Sequence, residues 1–214
     1  MASVSASSEH VVQFYDDDTD LITEVARAMY VALEQGHAAL YLVTQEHRQA
    51  LEQHLTARGL DVAASYRDGK LVCMEAAATL TRITTDGAPD VVRFAEVVGS
   101  VVDRLASSFE RVWIFGELVA LMCDSGNPSG AIKLEQLLAS FIQSRPVFLY
   151  CAYPSRVFAS EQDRAAFLRI CAEHCRVLHN DSWLALSHRA PTLEEQLAQP
   201  KHASGSIFTR LPLR

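Results

Sequence analysis

The stretch His10-Val11-Val12-Gln13-Phe14-Tyr15-Asp16-Asp17-Asp18-Thr19-Asp20-Leu21 decides how the rest of the chain is read. Its first half is a short apolar run with strand character. The segment after the aspartates, LITEVARAMYVALEQG, places Leu21, Ile22, Val25, Ala28, Met29, Ala32 and Leu33 on one helical stripe, with Gly36 as a stop. A strand feeding directly into an amphipathic helix is the opening of a βα unit. In a nucleotide-binding α/β protein a glycine-rich phosphate cradle would join the two. Here four aspartates stand at the junction, and no glycine.

Those aspartates admit two readings. Asp17 or Asp18 can accept hydrogen bonds from the free amides of the helix's first turn, and Asp20 complements the helix dipole. Alternatively the carboxylates form a cage for Mg²⁺ or Ca²⁺. D-D-D-T-D lacks the spaced oxygens, central glycine and terminal glutamate of a calcium loop, so capping is the preferred reading. Carboxylates that occupy a helix N-terminus also turn phosphate away from it.

The same alternation continues outward. His37–Thr44 (HAALYLVT) reads as a compact strand, QEHRQALEQHLTARG as a helix ending at Gly59, and KLVCMEA as a strand introduced by the Asp68-Gly69 turn. Helices are expected around 76–84 and 90–107, separated by the breaker Asp86-Gly87-Ala88-Pro89. Val112–Phe115 (VWIF) is an uncharged strand, and ELVALMC runs on helically to the break at Asp124-Ser125-Gly126-Asn127-Pro128. A helix over about 129–143, the strand PVFLYCAY ended by Pro154, a helix near 161–175 and a short strand from Arg176 to His179 complete the pattern. Short apolar runs alternating with amphipathic helices predict a parallel sheet buried on both faces. A leader (1–9), one domain (10–188) and a polar tail (189–214) are expected.

With 214 residues, 49% hydrophobic and 21% charged, the chain fits one ordinary globular domain. The formal charge of −7 disfavours direct nucleic-acid or anionic-membrane binding, since both need a basic face. No apolar run approaches membrane-spanning length, and MASVSASSE lacks the features of a signal peptide. Five cysteines, an odd number mostly in apolar segments, suit reduced core thiols. A cytoplasmic location is the expectation.

Neither G-x-x-x-x-G-K-[ST], G-x-G-x-x-G after a strand, nor G-x-S-x-G is present. Cys171, His174, Cys175 and His179 have a zinc-like look, but Cys171 and Cys175 lie one helical turn apart without a second knuckle, which favours buried helix thiols. No metal and no cofactor is expected. Glu117, directly after the VWIF strand and Gly116, either faces a ligand crevice at the strand ends or serves as a helix N-terminal acid. Cys151 and Tyr153 end another central strand, Cys151 reading as an inert thiol. For His10, a structural histidine is the default and a ligand contact the alternative.

Taken together, His10-Val-Val-Gln-Phe-Tyr15, the His47-Arg48 helix start, Phe115-Gly116-Glu117-Leu118-Val119-Ala120-Leu121, Gly126-Asn127, Ala131-Ile-Lys-Leu134-Glu135 and Cys151-Ala152-Tyr153-Pro154 resemble, in order, the MEDS family, the methanogen/methylotroph DcmR-type sensory domain. The resemblance covers residue 10 to about 180. It implies a three-layer α/β, RecA-like core without Walker motifs, a sensory role in prokaryotic signal transduction or transcription regulation, and hydrocarbon-type small molecules as ligands. In such a core the phosphate loop would stand at Phe14–Asp20, and the magnesium-holding aspartate at the end of VWIF, where Phe115 cannot serve. The chain departs from the family where Gln136-Leu137 follow Glu135 and where Cys175 follows His174.

The resulting expectation is a non-catalytic, ligand-binding module whose strand-end crevice is lined by His10, Tyr15, Glu117 and Tyr153, with Asn127 and Glu135 in support. Its partners would be an unidentified small molecule and a signalling protein such as a histidine kinase or transcription regulator, with homo-oligomerisation left open. The alternatives are a nucleotide hydrolase with unusual phosphate contacts, using Glu117 as base, and a pure protein-interaction regulator.

Overall fold

The computed structural model describes residues 8–158 and 164–178. The chain runs through β1 (Glu9–Tyr15), α1 (Asp18–Glu34), β2 (Ala38–Val43), α2 (Gln45–Ala57), α3 (Val62–Arg67), β3 (Leu71–Glu75) and α4 (Ala76–Ile83). A small hairpin, β4 (Thr84–Thr85) and β5 (Ala88–Pro89), leads to α5 (Val91–Phe94), a π-helical segment (Ala95–Gly99) and α6 (Ser100–Ser108). Then come β6 (Val112–Gly116), α7 (Leu118–Asp124), α8 (Pro128–Ile142), β7 (Val147–Pro154), a 3₁₀ turn (Ser155–Phe158), α9 (Arg164–Ala172) and β8 (Arg176–Leu178). The expected leader lies largely, and the expected tail wholly, outside the described residues, as does His179.

Six strands form one sheet in the order β3-β2-β6-β7-β1-β8, every pair parallel. Parallel strands need crossover helices, and helices on both faces leave no solvated side. Accordingly β2 and β7 are buried at every position. This is the α/β architecture expected, with helices flanking a central parallel sheet. Strand alternation and the β1–β7 register (His10↔Leu149, Val12↔Cys151, Phe14↔Tyr153) send these six side chains to one face, the one that meets α8. On the opposite face α1 lays Val25 and Met29 against Trp113, Phe115 and Tyr150.

The aspartate junction is a helix cap. Asp17 Oδ1 accepts from the amides of Thr19 at 2.8 Å and Asp20 at 3.1 Å. Those two bonds, to Asp20 and Thr19, hold the Asp17 carboxyl below its usual range.

Three departures from the sequence expectation have physical reasons. Helix α3 is too short for a hydrophobic period to show; the Tyr66 hydroxyl anchors it by donating to Glu52 Oε1 at 2.6 Å. The breaker at 86–89 is a tight hairpin in which Asp86 (φ 50°) and Gly87 (φ 74°) both take left-handed conformations. The helix expected over 90–107 is interrupted by the π-helical segment. There Gly99 brings the backbone so near α8 that a Cβ would stand 3.3 Å from the Phe141 ring. Among the described residues no helix is long and apolar enough to cross a membrane.

Candidate functional site

Among the described residues, two polar clusters and an apolar cavity stand where the sheet meets its helices. The first cluster is buried on the α8 face. Helix α8 sets Ala131, Leu134, Glu135, Leu138 and Ile142 on its buried stripe, so one carboxylate is carried into the core among aliphatic neighbours. Glu135 is fully buried, and its Oε1 accepts from the Tyr153 hydroxyl at 2.5 Å. Its Oε2 lies 3.2 Å from His10 Nε2, 3.4 Å from His174 Nε2 and 3.6 Å from Cys151 Sγ. The two imidazoles stand side by side, centroids 3.9 Å apart.

The histidine tautomers follow from their other nitrogens. His10 Nδ1 lies 3.0 Å from the Glu173 carbonyl and His174 Nδ1 2.7 Å from the Ile170 carbonyl. A carbonyl can only accept, so both Nδ1 atoms carry the proton and both Nε2 atoms turn toward Glu135. Burial works against ionisation of Glu135, but His174, His10 and the Tyr153 hydroxyl outweigh it and hold the carboxyl below its ordinary value. Burial, reinforced by Glu135, pushes the Cys151 thiol and the Tyr153 hydroxyl well up, so both are neutral donors. Burial lowers His174 despite the neighbouring carboxylate.

The second cluster stands at the carboxyl ends of β1, β2 and β6. Glu117 is 4% exposed and precedes α7, yet its side chain makes no cap bond to that helix. It turns instead to the end of β2, where Oε2 accepts from the Thr44 amide at 2.9 Å and Oε1 accepts from His47 Nδ1. The bond to Glu117 raises His47 above its usual value against the opposing effect of burial. His47 Nε2 reaches toward Asp18, 3.9 Å away. Tyr15 is buried beside them, its hydroxyl pushed up by burial and by the charges of Asp18 and Glu117.

The cavity lies between the sheet and helices α5 to α8. Leu42, Gly116 and Cys151 form its sheet wall, and Val98, Leu138 and Phe141 face them. Nothing polar is exposed in it, and its room suits a molecule of only a few heavy atoms. Val98 belongs to the π-helical segment, a form that recurs at functional sites.

The six residues expected to share one crevice therefore fall into three places. His10, Glu135 and Tyr153 meet in the buried cluster, with Cys151 and His174. Tyr15 and Glu117 stand at the strand-end rim, with His47. Asn127 caps α8 through Gly130 N (2.9 Å), while its Nδ2 donates to the Gly87 carbonyl at 2.7 Å, tying the small hairpin to that helix. None of the six lines the cavity wall. In the sequence His174 stands out only beside Cys171, Cys175 and His179. Its Nε2 points to Glu135, and Cys175 Sγ donates to the His10 carbonyl at 2.9 Å. The sequence marks His47 only as part of a helix start.

A family model described as MEDS, the MEthanogen/methylotroph, DcmR Sensory domain, matches residues 9–170. The chain belongs to the MEDS family. The matched span carries the whole strand-end rim and His10, Glu135, Cys151 and Tyr153 of the buried cluster; His174 lies just beyond it. Among solved structures, the KaiC-like protein PH0186 from Pyrococcus horikoshii OT3 is similar at a TM-score of 0.46 and 16% identity. That match covers 69% of this chain and 62% of the other, less than two thirds of its length. No match to a curated protein is found. MEDS domains are sensory, and this chain takes its place in signalling on that ground.

Proposed function

We propose that this MEDS domain is a non-catalytic sensor of a small, apolar or weakly polar molecule, which it holds in the cavity between the sheet and helices α5 to α8. The observation that carries this reading is the character of the cavity, an apolar-lined space under the carboxyl ends of β2 and β6. Dry apolar cavities of this kind take small apolar guests because water gains no hydrogen bonds there. Cys151 is shared between the cavity wall and the buried cluster, so His10, Glu135 and Tyr153 stand behind it as polar support. Tyr15 and Glu117 would sense occupancy from the rim, and Asn127 would brace the hairpin beside α5.

The output follows from the same wall. Phe94 and Val98 face the cavity, while Val91 and Val92 of the same helical stretch are 67% and 65% exposed. A guest that displaces Phe94 would move those two valines, the surface offered to a signalling partner. The cap at Asp17 supports the sensor over the hydrolase, because the amides that would receive phosphate are already bonded.

A thermal-shift series with one- to three-carbon alcohols, amines and halides tests the reading. At least one compound is expected to raise the melting temperature saturably in the native chain and to lose that effect in Val98→Phe, which fills the space. Shifts that are equal in both proteins, or saturable ATP turnover lost in Glu117→Gln, would overturn it.

A further inference from the structure

We infer that His10, Glu135, Cys151 and His174 form a buried four-ligand site for a divalent transition ion of the zinc class. Their ligand atoms all lie within 4.8 Å of one another. Four of the six edges fit a tetrahedron, and the other two, both to His174 Nε2, lie within the 4.8 Å limit and would shorten as the ion draws that ring in. Around a zinc ion with ordinary bond lengths, nitrogen–oxygen edges are about 3.3 Å and edges to sulfur about 3.5 Å. The corresponding separations are 3.2 and 3.4 Å for the two Nε2–Oε2 edges, and 3.5 and 3.6 Å from Sγ to His10 Nε2 and to Glu135 Oε2.

Two independent features point to a cation site rather than to a hydrogen-bonded cluster alone. His174 Nε2 is buried and makes no hydrogen bond, although its side chain is fully covered and aimed at Glu135. Both imidazoles are fixed by Nδ1–H bonds to backbone carbonyls, the outer support that metal-binding histidines characteristically have. Tyr153 likewise orients the carboxylate by its bond to Oε1, leaving Oε2 for the ion.

Charge balances as well. One carboxylate, one thiolate and two neutral imidazoles around a 2+ ion sum to zero, which is what a site in the core requires. Cys151 would release its proton to solvent on binding, so affinity rises with pH. Nitrogen and sulfur donors exclude Ca²⁺ and Mg²⁺ as the preferred occupants. The ion would cross-link β1, α8, β7 and the segment between α9 and β8. Cys151 is common to the cavity wall and the metal site, but metal binding is read by cobalt spectroscopy and guest binding by thermal shift, so the failure of one leaves the other standing.

Cobalt is the probe. The full chain is unfolded, stripped with chelator and refolded with Co²⁺, so that burial of the site does not block entry. One Co²⁺ per chain is expected, with intense four-coordinate ligand-field bands and a sulfur-to-cobalt charge-transfer band. Cys151→Ser should abolish the charge-transfer band, and Cys171→Ser should leave it intact. His174→Ala should weaken cobalt affinity by more than about tenfold. Native protein purified from zinc-containing medium should also carry close to one zinc by elemental analysis. Neither metal at stoichiometric level, or a charge-transfer band that survives Cys151→Ser, would overturn the assignment.

Discussion

Glu135 and Glu117 are both buried carboxylates paired with histidine, and their surroundings separate them. Glu135 rises from the middle of α8 into a closed core, where a tyrosine, a thiol and two imidazoles surround it. Glu117 stands at a strand end and binds one backbone amide and one imidazole, that of His47, whose Nε2 reaches toward the exposed carboxylate of Asp18. The first arrangement fastens distant parts of the chain together, since residues 10 and 174 meet through it. The second joins neighbouring strand ends and remains near the surface through His47. A carboxylate that is wholly enclosed makes folding depend on its partners, whereas one at a rim can change partners without unfolding the core.

The strongest way to break this contrast is Glu135→Ala. It leaves two imidazoles and a phenol without their shared partner and should cost ~3–5 kcal/mol in denaturant unfolding. Glu135→Gln keeps an acceptor for Tyr153 and should cost less, about 1–3 kcal/mol. A loss for alanine no greater than that of Glu117→Ala would put the two carboxylates on an equal footing.

Glu117→Gln sharpens the rim side, with an expected loss of about 1–2 kcal/mol because its single amide oxygen can still accept from Thr44 N or His47 Nδ1, but not from both. Its effect should depend on pH. His47 is raised in the folded state, so the stability it contributes is fully present below the unfolded value of 6.5 and is lost as pH rises through the higher folded value. The gap between native and Glu117→Gln proteins should therefore be wider at about pH 6 than at about pH 9. A gap that widens with rising pH would contradict the His47–Glu117 pairing.

Asp17→Ala should have the smallest effect, a modest fall in the denaturation midpoint with the cores of both clusters intact. Because the Asp17 carboxyl is held low, its contribution is present above the ordinary aspartate range and is lost as pH falls through the depressed value. Circular dichroism of the variant across acidic pH reads this directly.

Much of the fold was legible because its signals are local. The short apolar runs of β1 and β7 and the helical stripe of α1 from Leu21 to Leu33 are each visible within about a dozen neighbouring residues. The Asp17 cap was legible for the same reason, with the acceptor two and three positions from its donors. The π-helical break at Ala95–Gly99 was hidden, because it depends on how closely Gly99 approaches Phe141 on another helix.

The site was legible only as a set of residue types. Glu135 stood out only within the Leu134-Glu135 motif of the resemblance; its partners lie at residues 10, 151, 153 and 174, and only the sheet order and the α9–β8 turn bring them together. Glu117 read equally well as a helix acid; its pairing with His47 needed β2 and β6 to be neighbours. Asn127 stood in the right motif for a structural reason, as cap and brace.

The central claim is that the space between the sheet and helices α5 to α8 receives a small apolar guest. Diffraction from crystals pressurised with xenon tests it most directly, since xenon enters dry apolar cavities without needing hydrogen bonds. A xenon atom bounded by Leu42, Val98, Leu138 and Cys151 is predicted, absent from Val98→Phe crystals. Xenon bound only elsewhere, or ordered water filling that space, would contradict the claim.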